Sequence, residues 1–374
     1  MTTLGAAPLT FREHTIATDL KGGYQVVAID VNHDGKTDLI ALASGMSELV
    51  WYENPTWERH VIAGNLSRMI NLAAWDMDGD GIPEIVLAHE FSMRAKDSIG
   101  IVSVLKHNGD PRQPWSIREI DRLPTSHRLR AADIDGSGKK VVVNAPLTGA
   151  KAEAPDYREP VPLVYYRPGD WKRQVIDESS QGVVHCVTIT DWDHDGRDEI
   201  LTAGFEGILL YKLGKNDRWD RTQIAPGDPA AWPKSGSSDV AVGHLGKTPF
   251  LAAIEPWHGE KVAVYTERSK SAWNRDVIDD TLLDGHTIVT ADLNNDGADE
   301  IIAGFRGKPQ RVYIYERHAT DWVRQTLDDG DMAAAACATA DLNGDGKLDI
   351  ACIGSATHNL KWYENLGPGK STSR

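Results

Sequence analysis

One acidic motif recurs along the chain and fixes most of what it can fold into. Ala28-Ile-Asp30-Val-Asn-His-Asp-Gly-Lys-Thr-Asp38-Leu returns as Trp75-Asp76-Met-Asp-Gly-Asp-Gly-Ile-Pro-Glu84, and again from Asp133, Asp191, Asp292 and Asp341. A degenerate copy, Val240 to Gly246, fills the one long gap. The first positions fall at 30, 76, 133, 191, 243, 292 and 341, which makes seven units of about 50 residues.

Each unit reads as four short strands. In the first, Gln25 to Asp30 enters the acidic loop and Asp38 to Leu42 leaves it. Leu49 to Tyr52 and Trp57 to Ile62 follow. The fourth pattern returns as Trp115 to Ile120, Trp171 to Ile176, Trp219 to Ile224, Trp273 to Ile278 and Trp322 to Leu327. Short runs of this kind, with turn residues between and no helical period, predict an all-β chain. Seven four-stranded units arranged radially predict a seven-bladed β-propeller. The last unit lacks a fourth strand, and Phe11 to Ile16 is an orphan copy of that strand. Residues 10–16 are therefore expected to complete the C-terminal blade of a single domain over 1–374. The tail 367–374 is expected to fray.

The acidic loops admit two readings. Asp30, Asn32, Asp34 and Asp38 stand at positions 1, 3, 5 and 9, with Gly35 at position 6. That spacing suits a calcium ion. Four further loops share it: Asp76, Asp78, Asp80 and Glu84; Asp191, Asp193, Asp195 and Glu199; Asp292, Asn294, Asp296 and Glu300; Asp341, Asn343, Asp345 and Asp349. The copy at Asp133 has Ser137 and Val141 at two ligand positions, so it should bind poorly. The other reading is that these carboxylates cap tight turns by accepting backbone N–H bonds. The pattern resembles integrin-type and VCBS repeats.

The opposite mouth of the ring carries the chemistry. Six residues before each first acidic position stand Tyr24, Ile70, His127, His185, Ser237, His286 and Ala335. Histidine fills one repeat position in three blades and not in the others. Strand ends add His89, Glu90, Glu255, Trp257 and His258, and Arg128 follows His127. Two longer insertions, Ser92 to Ile99 and Leu147 to Pro162 with Tyr157, overhang this mouth, as does Pro229 to Ser238 with Trp232. Neutral imidazoles from separate strands suit a divalent metal (Zn²⁺, Mn²⁺ or Mg²⁺) with an open position. They equally suit proton transfer near neutral pH.

Composition narrows the function classes. Net charge is −15, which disfavours nucleic-acid and anionic-membrane partners, and a small-molecule sugar is the partner expected. Hydrophobic residues make up 41%, as in an ordinary globular chain. Three cysteines without a CxxC do not form a disulfide scaffold, and a reducing compartment is the simplest reading. The N-terminus has no basic segment followed by an apolar one, so a cytoplasmic location is expected, with export not excluded.

Several mouth segments resemble the propeller domain of the aldos-2-ulose dehydratase family. They are Ser126-His-Arg-Leu129, Val183-Val-His-Cys186, Ser237 to Gly243, Trp257 to Thr266 and Gly285 to Leu293. The likeness spans residues 70–307 and is densest at the mouth. It implies dehydration of a keto-sugar such as 1,5-anhydrofructose or an aldos-2-ulose. The family enzyme has a further cupin region for a later isomerisation; this chain stops after the propeller, so only elimination is expected to carry over. On that reading His127, His185 and His286 bind the metal. His258 or His89, with Tyr157, supplies acid–base chemistry. Arg128, Glu255, Trp232 and Trp257 hold the sugar. The rival readings are a β-eliminating polysaccharide lyase, served by Arg68, Arg94, Arg128, Lys151 and Arg306, and a non-enzymatic carbohydrate- or protein-binding propeller.

Overall fold

The computed structural model describes residues 7–269 and 272–369. They form seven four-stranded antiparallel sheets, and the one helical turn among the described residues is a 3₁₀ turn at Ala95–Asp97. Blades 1 to 6 span 23–63, 71–122, 126–177, 184–225, 239–279 and 285–329. Blade 7 combines Ala334–Ala340, Asp349–Gly354 and Leu360–Pro368 with the N-terminal strand Leu9–Ala17. The first strands of neighbouring blades touch one another around the axis, so they line the central channel. Six of the seven second strands are buried along their whole length, among them Asp38–Ala43, Glu84–His89 and Glu199–Gly204. Apolar side chains from adjacent sheets interdigitate there, so the core is a ring of inter-blade layers.

The closing strand pairs Leu9 with Pro368 and Thr10 with Gly367. That pairing holds Gly367 and Pro368 inside the segment expected to fray; residues 370–374 lie outside the described residues. Trp57 and Trp171 differ from the expected pattern in a smaller way. They sit at φ 57° and 53° in the turn before the fourth strand instead of opening it. The four- and six-residue connections there close through a left-handed residue.

The cysteines need a correction. Cys337 and Cys352 face each other on neighbouring strands of blade 7, 4.1 Å apart at Cα, and are joined by a disulfide. They oppose each other because of strand register, which the 15-residue separation does not advertise. Cys186 is free and buried.

The acidic loops hold themselves together. Asp30 accepts N–H bonds from Asp34 and Gly35, and Asp191 does so from Asp195 and Gly196. Asp292 accepts from Asp296 and Gly297, and Asp341 from Asp345 and Gly346. The acid at position 9 returns to position 2: Asp38 accepts from Val31, Glu84 from Met77, Glu300 from Leu293, Asp349 from Leu342. In four loops a lysine ammonium reaches the carboxylates: Lys36 on Asp34, Lys106 on Asp78 and Glu84, Lys212 on Asp193, Asp195 and Glu199, and Lys347 on Asp345.

The turn-capping reading is met by hydrogen bonds within each of the five loops. Among the described residues, acids that could share a cation come together at Asp76, Asp78 and Glu84 and at Asp191, Asp193 and Glu199, where Lys106 and Lys212 already sit. The loops at Asp30, Asp292 and Asp341 differ because position 3 is an amide. The Asn32, Asn294 and Asn343 carbonyl oxygens each accept the N–H of position 5, at 3.1, 2.9 and 2.9 Å. The Asn294 amide also donates to Glu300 at 3.0 Å, so it meets that acid as a donor and not as a fellow ligand. The acids at position 5 cap the next turn: Asp34 accepts from Lys36, Asp80 from Ile82, Asp296 from Ala298 and Asp345 from Lys347. Asn32, Asp34, Asn294, Asp296, Asn343 and Asp345 thus cap turns through their side-chain oxygens.

The two irregular loops lack their own acid at position 9 and borrow one from the next blade. Asp198 accepts from Asp133 N–H at 2.7 Å while its own N–H donates to the Asp133 carbonyl at 2.9 Å. Asp299 does the same to His244, at 2.7 and 2.8 Å. Asp198→Ala is expected to cost about 1–3 kcal/mol, because it leaves a backbone donor without its partner. A lower urea midpoint with unchanged slope would show this; an unchanged midpoint would refute it.

Candidate active site

The mouth position is a β-bulge. In the ladders between first and second strands, the register slips between Gly23 and Gln25, Ser126 and Arg128, Val184 and Cys186, Gly285 and Thr287, and Ala334 and Ala336. The residues skipped are Tyr24, His127, His185, His286 and Ala335. A bulge leaves one residue out of the ladder and re-aims its side chain. In these five blades it turns one side chain each toward the axis at the top of the channel.

Four histidines meet there. The ring centroid of His185 lies 5.1 Å from that of His127, 4.9 Å from His258 and 5.0 Å from His286. His258 reaches in from the loop after the second strand of blade 5, at φ 50°. Its backbone N–H donates to Ser238 Oγ at 3.2 Å. Left-handed backbone at a non-glycine residue costs about 1–3 kcal/mol and persists where surroundings impose it.

The hydrogen-bond partners decide which of the four can hold a cation. His185 Nδ1 lies 3.0 Å from the Ser238 carbonyl, and His286 Nδ1 lies 2.7 Å from the Ala335 carbonyl. A carbonyl only accepts, so both Nδ1 atoms carry the proton and both Nε2 atoms present lone pairs. His286 Nε2 is buried with no partner. His258 Nε2 is 3.3 Å from His185 Nε2. Its Nδ1 accepts from Arg306 Nη2 at 3.1 Å, since a guanidinium only donates, so the neutral ring carries its proton on Nε2, facing the His185 Nε2 lone pair; Asp284 Oδ1 lies 3.4 Å from the same Nδ1. Asp284 and Arg306 are themselves joined by two bonds, at 3.0 and 2.9 Å. Ligand nitrogens of His185, His258 and His286 lie within 4.8 Å of one another, so this cluster could hold a metal ion. Backbone carbonyls and a carboxylate behind the ligands are the usual orienting partners of such sites.

His258 groups with His185 and His286 at the place expected from the sequence for His127. The Nε2 of His127 is engaged by the Tyr24 hydroxyl at 2.7 Å, which takes it out of the cluster. Tyr24 was legible as a residue at the histidine position, but not as a partner of His127. Burial, and then neighbouring positive charge, push the pKa of His127 and His185 well below 6.5; for His286 burial and Arg306 do so. All three rings are neutral near pH 7.

Two expected residues lie elsewhere. His89 ends a second strand and bonds Ser103 Oγ at 3.0 Å on the strand beside it. It faces into its own blade, because first strands alone line the channel. Glu255 is fully buried and accepts from Tyr265, from Ser237 Oγ at 3.2 Å and from Arg275 at 2.8 and 2.5 Å. It is a structural carboxylate and leaves no oxygen for a sugar.

Aromatic side chains wall the mouth. Tyr157 meets Phe205 and Trp257 edge-on, at 6.3 and 5.9 Å between centroids. Trp232 meets Phe205 at 5.2 Å, donates to the Asp156 carbonyl and carries the Arg158 guanidinium on its face. Gly182 makes room for it, since a Cβ there would stand 2.6 Å from the indole. Phe91 flanks His127 at 5.4 Å. Arg128, 6% exposed, lies over the Tyr24 ring and 3.5 Å from His185 Nε2. The structure thus gathers His127, His185, His258, His286, Arg128, Tyr157, Trp232 and Trp257 around one mouth. It adds Tyr24, Asp284, Phe91 and Phe205.

Comparison with known proteins agrees with this geometry. Residues 99–268 match the β-propeller domain of aldos-2-ulose dehydratase, and residues 30–87 and 292–352 match FG-GAP-like repeats. The aldos-2-ulose dehydratase of Phanerodontia chrysosporium is 28% identical over 265 residues, which is 62% of this chain. The matched region spans 29% of that relative's length. The crystal structure of BBS1N in complex with ARL6DN aligns over 99% of both chains at a TM-score of 0.57 and 12% identity, a likeness of fold alone. The chain is a β-propeller that carries FG-GAP-like repeats at residues 30–87 and 292–352 and resembles the propeller domain of aldos-2-ulose dehydratase.

Proposed function

We propose that this protein is a carbon–oxygen lyase that removes water from a keto-sugar, such as 1,5-anhydrofructose or an aldos-2-ulose, by β-elimination at the histidine mouth. One observation carries the reading. Three imidazoles from three blades converge on a point inside an aromatic-walled mouth, and His185 and His258 lie in the segment that matches the dehydratase propeller.

In such a reaction a base removes the proton α to the carbonyl. The electron pair forms the new C=C bond as the β C–O bond breaks, and the departing hydroxide takes a proton to leave as water. Three neutral imidazoles suit Zn²⁺ better than Mg²⁺ or Mn²⁺, which favour oxygen ligands. When bound, the cation polarises the carbonyl oxygen and stabilises the enolate. His185 and His286 would hold it through their Nε2 atoms, and His258 would do so with its proton moved to Nδ1, beside Asp284. The Tyr24 hydroxyl and His127 Nε2 share one proton beside that point, and the pair is placed to move it to or from the sugar. Arg128 steers sugar oxygens, and Tyr157, Trp232 and Trp257 stack on the ring and exclude water.

The test is metal analysis of the full chain after loading with Zn²⁺ or Mn²⁺, followed by ultraviolet detection of the enone from 1,5-anhydrofructose. About one metal per chain and a growing enone signal are expected. A chain that takes up neither metal, or a loaded chain that leaves the keto-sugars unchanged, would overturn the reading. Tyr24→Phe should keep the metal and lower turnover about 10²–10⁴-fold, the usual worth of one positioned acid–base group. Equal turnover would remove Tyr24 from the proton path.

A further inference from the structure

Below the histidines the channel opens into a cavity of about 500 Å³ lined by Arg128, Arg130, Asn71, Asp239 and Thr287, among others. Arg128 and Arg130 stand two apart on one first strand, so both project from the same face. Among the described residues, neither guanidinium has a carboxylate within 4.0 Å, though Arg173, Arg275, Arg306 and Arg324 all do. Arg128 has the Tyr24 ring and His185 Nε2 as neighbours. Arg130 donates to Asn71 Oδ1 at 3.0 Å and to the Leu129 carbonyl at 2.8 Å, both neutral acceptors.

Among the described residues Asp239 is the one carboxylate lining the cavity, and it forms no ion pair within 4.0 Å with either guanidinium. Its Oδ1 accepts from the Val240 N–H at 3.1 Å; burial raises its carboxyl, and the Arg128 and Arg130 charges oppose that rise. Burial, and then the Arg128 charge, lower the pKa of Arg130. Two like charges withdrawn from water are costly until an opposite charge joins them. Guanidinium forks match the planar edges of oxyanions.

We propose that this cavity binds one oxyanion group, a sulfate, phosphate or carboxylate, between Arg128 and Arg130. The inference stands apart from the elimination reading, since it needs neither the metal nor turnover. The group has two possible sources: a free inorganic anion, or the carboxylate of a sugar acid that enters past His185.

Isothermal titration of the chelator-treated full chain at fixed ionic strength tests this. The probes are sodium sulfate, sodium D-glucuronate and neutral D-glucose. Saturable one-site binding of sulfate or glucuronate, without binding of glucose, is expected. Arg130→Gln should weaken it about tenfold or more, the worth of a charge-assisted bond. Sulfate alone would assign the cavity to an inorganic anion; glucuronate binding with the same Arg130 dependence would assign it to a sugar acid. Circular dichroism checks the variant fold. Arg130→Lys, which keeps the charge and loses the fork, should also weaken binding and serves if Arg130→Gln does not fold. Absence of saturable binding by either anion, or affinity unchanged in the folded variants, would overturn the proposal.

Discussion

Replacing His185 with alanine is expected to strip the loaded protein of its metal and to lower elimination about 10³-fold or more. His185 sits at the centre of the mouth, within 5.1 Å of the other three rings between centroids. Its Nε2 is the atom that His258 Nε2 approaches. Without it two imidazoles remain, and a two-ligand site holds Zn²⁺ far less tightly than three. Loss of Lewis-acid stabilisation of the enolate is worth several kcal/mol, and each 1.36 kcal/mol is tenfold in rate. The comparison is His89→Ala, which should retain metal and turnover, because its side chain bonds Ser103 inside blade 2. Metal content by plasma emission and enone formation are read on the same samples. Full metal and full turnover in His185→Ala would sink the metal-assisted reading, and equal losses in both variants would point to a general effect on the fold.

The contrast between His185 and His89 shows what the sequence could and could not carry. The seven blades followed from a periodic acidic motif, because a repeat fixes register in every copy at once. The shared position of Tyr24, His127, His185 and His286 followed from the same register. That the position is a bulge did not, since a bulge depends on hydrogen bonds to the neighbouring strand. Residues off that register were less legible. His258 lies on a loop, and its direction is set by the Ser238 hydroxyl and by Asp284 and Arg306. Asp284 belongs to an inter-blade linker outside every repeated pattern. His89 and Glu255 both end second strands, so the pattern placed them near the mouth; which way they faced depended on packing against third and fourth strands. The acidic loops show the same limit, because spacing alone does not say whether Asn294 or Asn343 turns its oxygen to an ion or to a backbone N–H. The cysteine pair was hidden for a related reason: Cys337 and Cys352 meet only through the register of blade 7.

Glu255 provides the second large expected effect, on stability. The sequence pattern places it with the sugar-binding residues, a role that would raise KM on substitution and leave unfolding unchanged. The structure predicts the reverse. Its carboxylate is fully buried among Tyr265 of the third strand, Arg275 of the fourth and Ser237, which leads into the first. One residue thereby ties three strands of the degenerate blade together. Burial pushes its carboxyl up, and the Arg275 charge with the Tyr265 and Ser237 hydroxyls opposes that push. Glu255→Ala leaves a guanidinium and two hydroxyls without an acceptor, and breaking a buried pair in this way costs about 3–5 kcal/mol. Arg275 is one-quarter exposed and lies 3.8 Å from Asp228, so water and that second acid recover part of the loss and place the cost near the low end. Urea unfolding should show a reduced midpoint at constant slope. Metal content under native conditions should stay that of the wild type, because Glu255 touches none of His185, His258 or His286. A wild-type midpoint with a raised KM would return Glu255 to the substrate site.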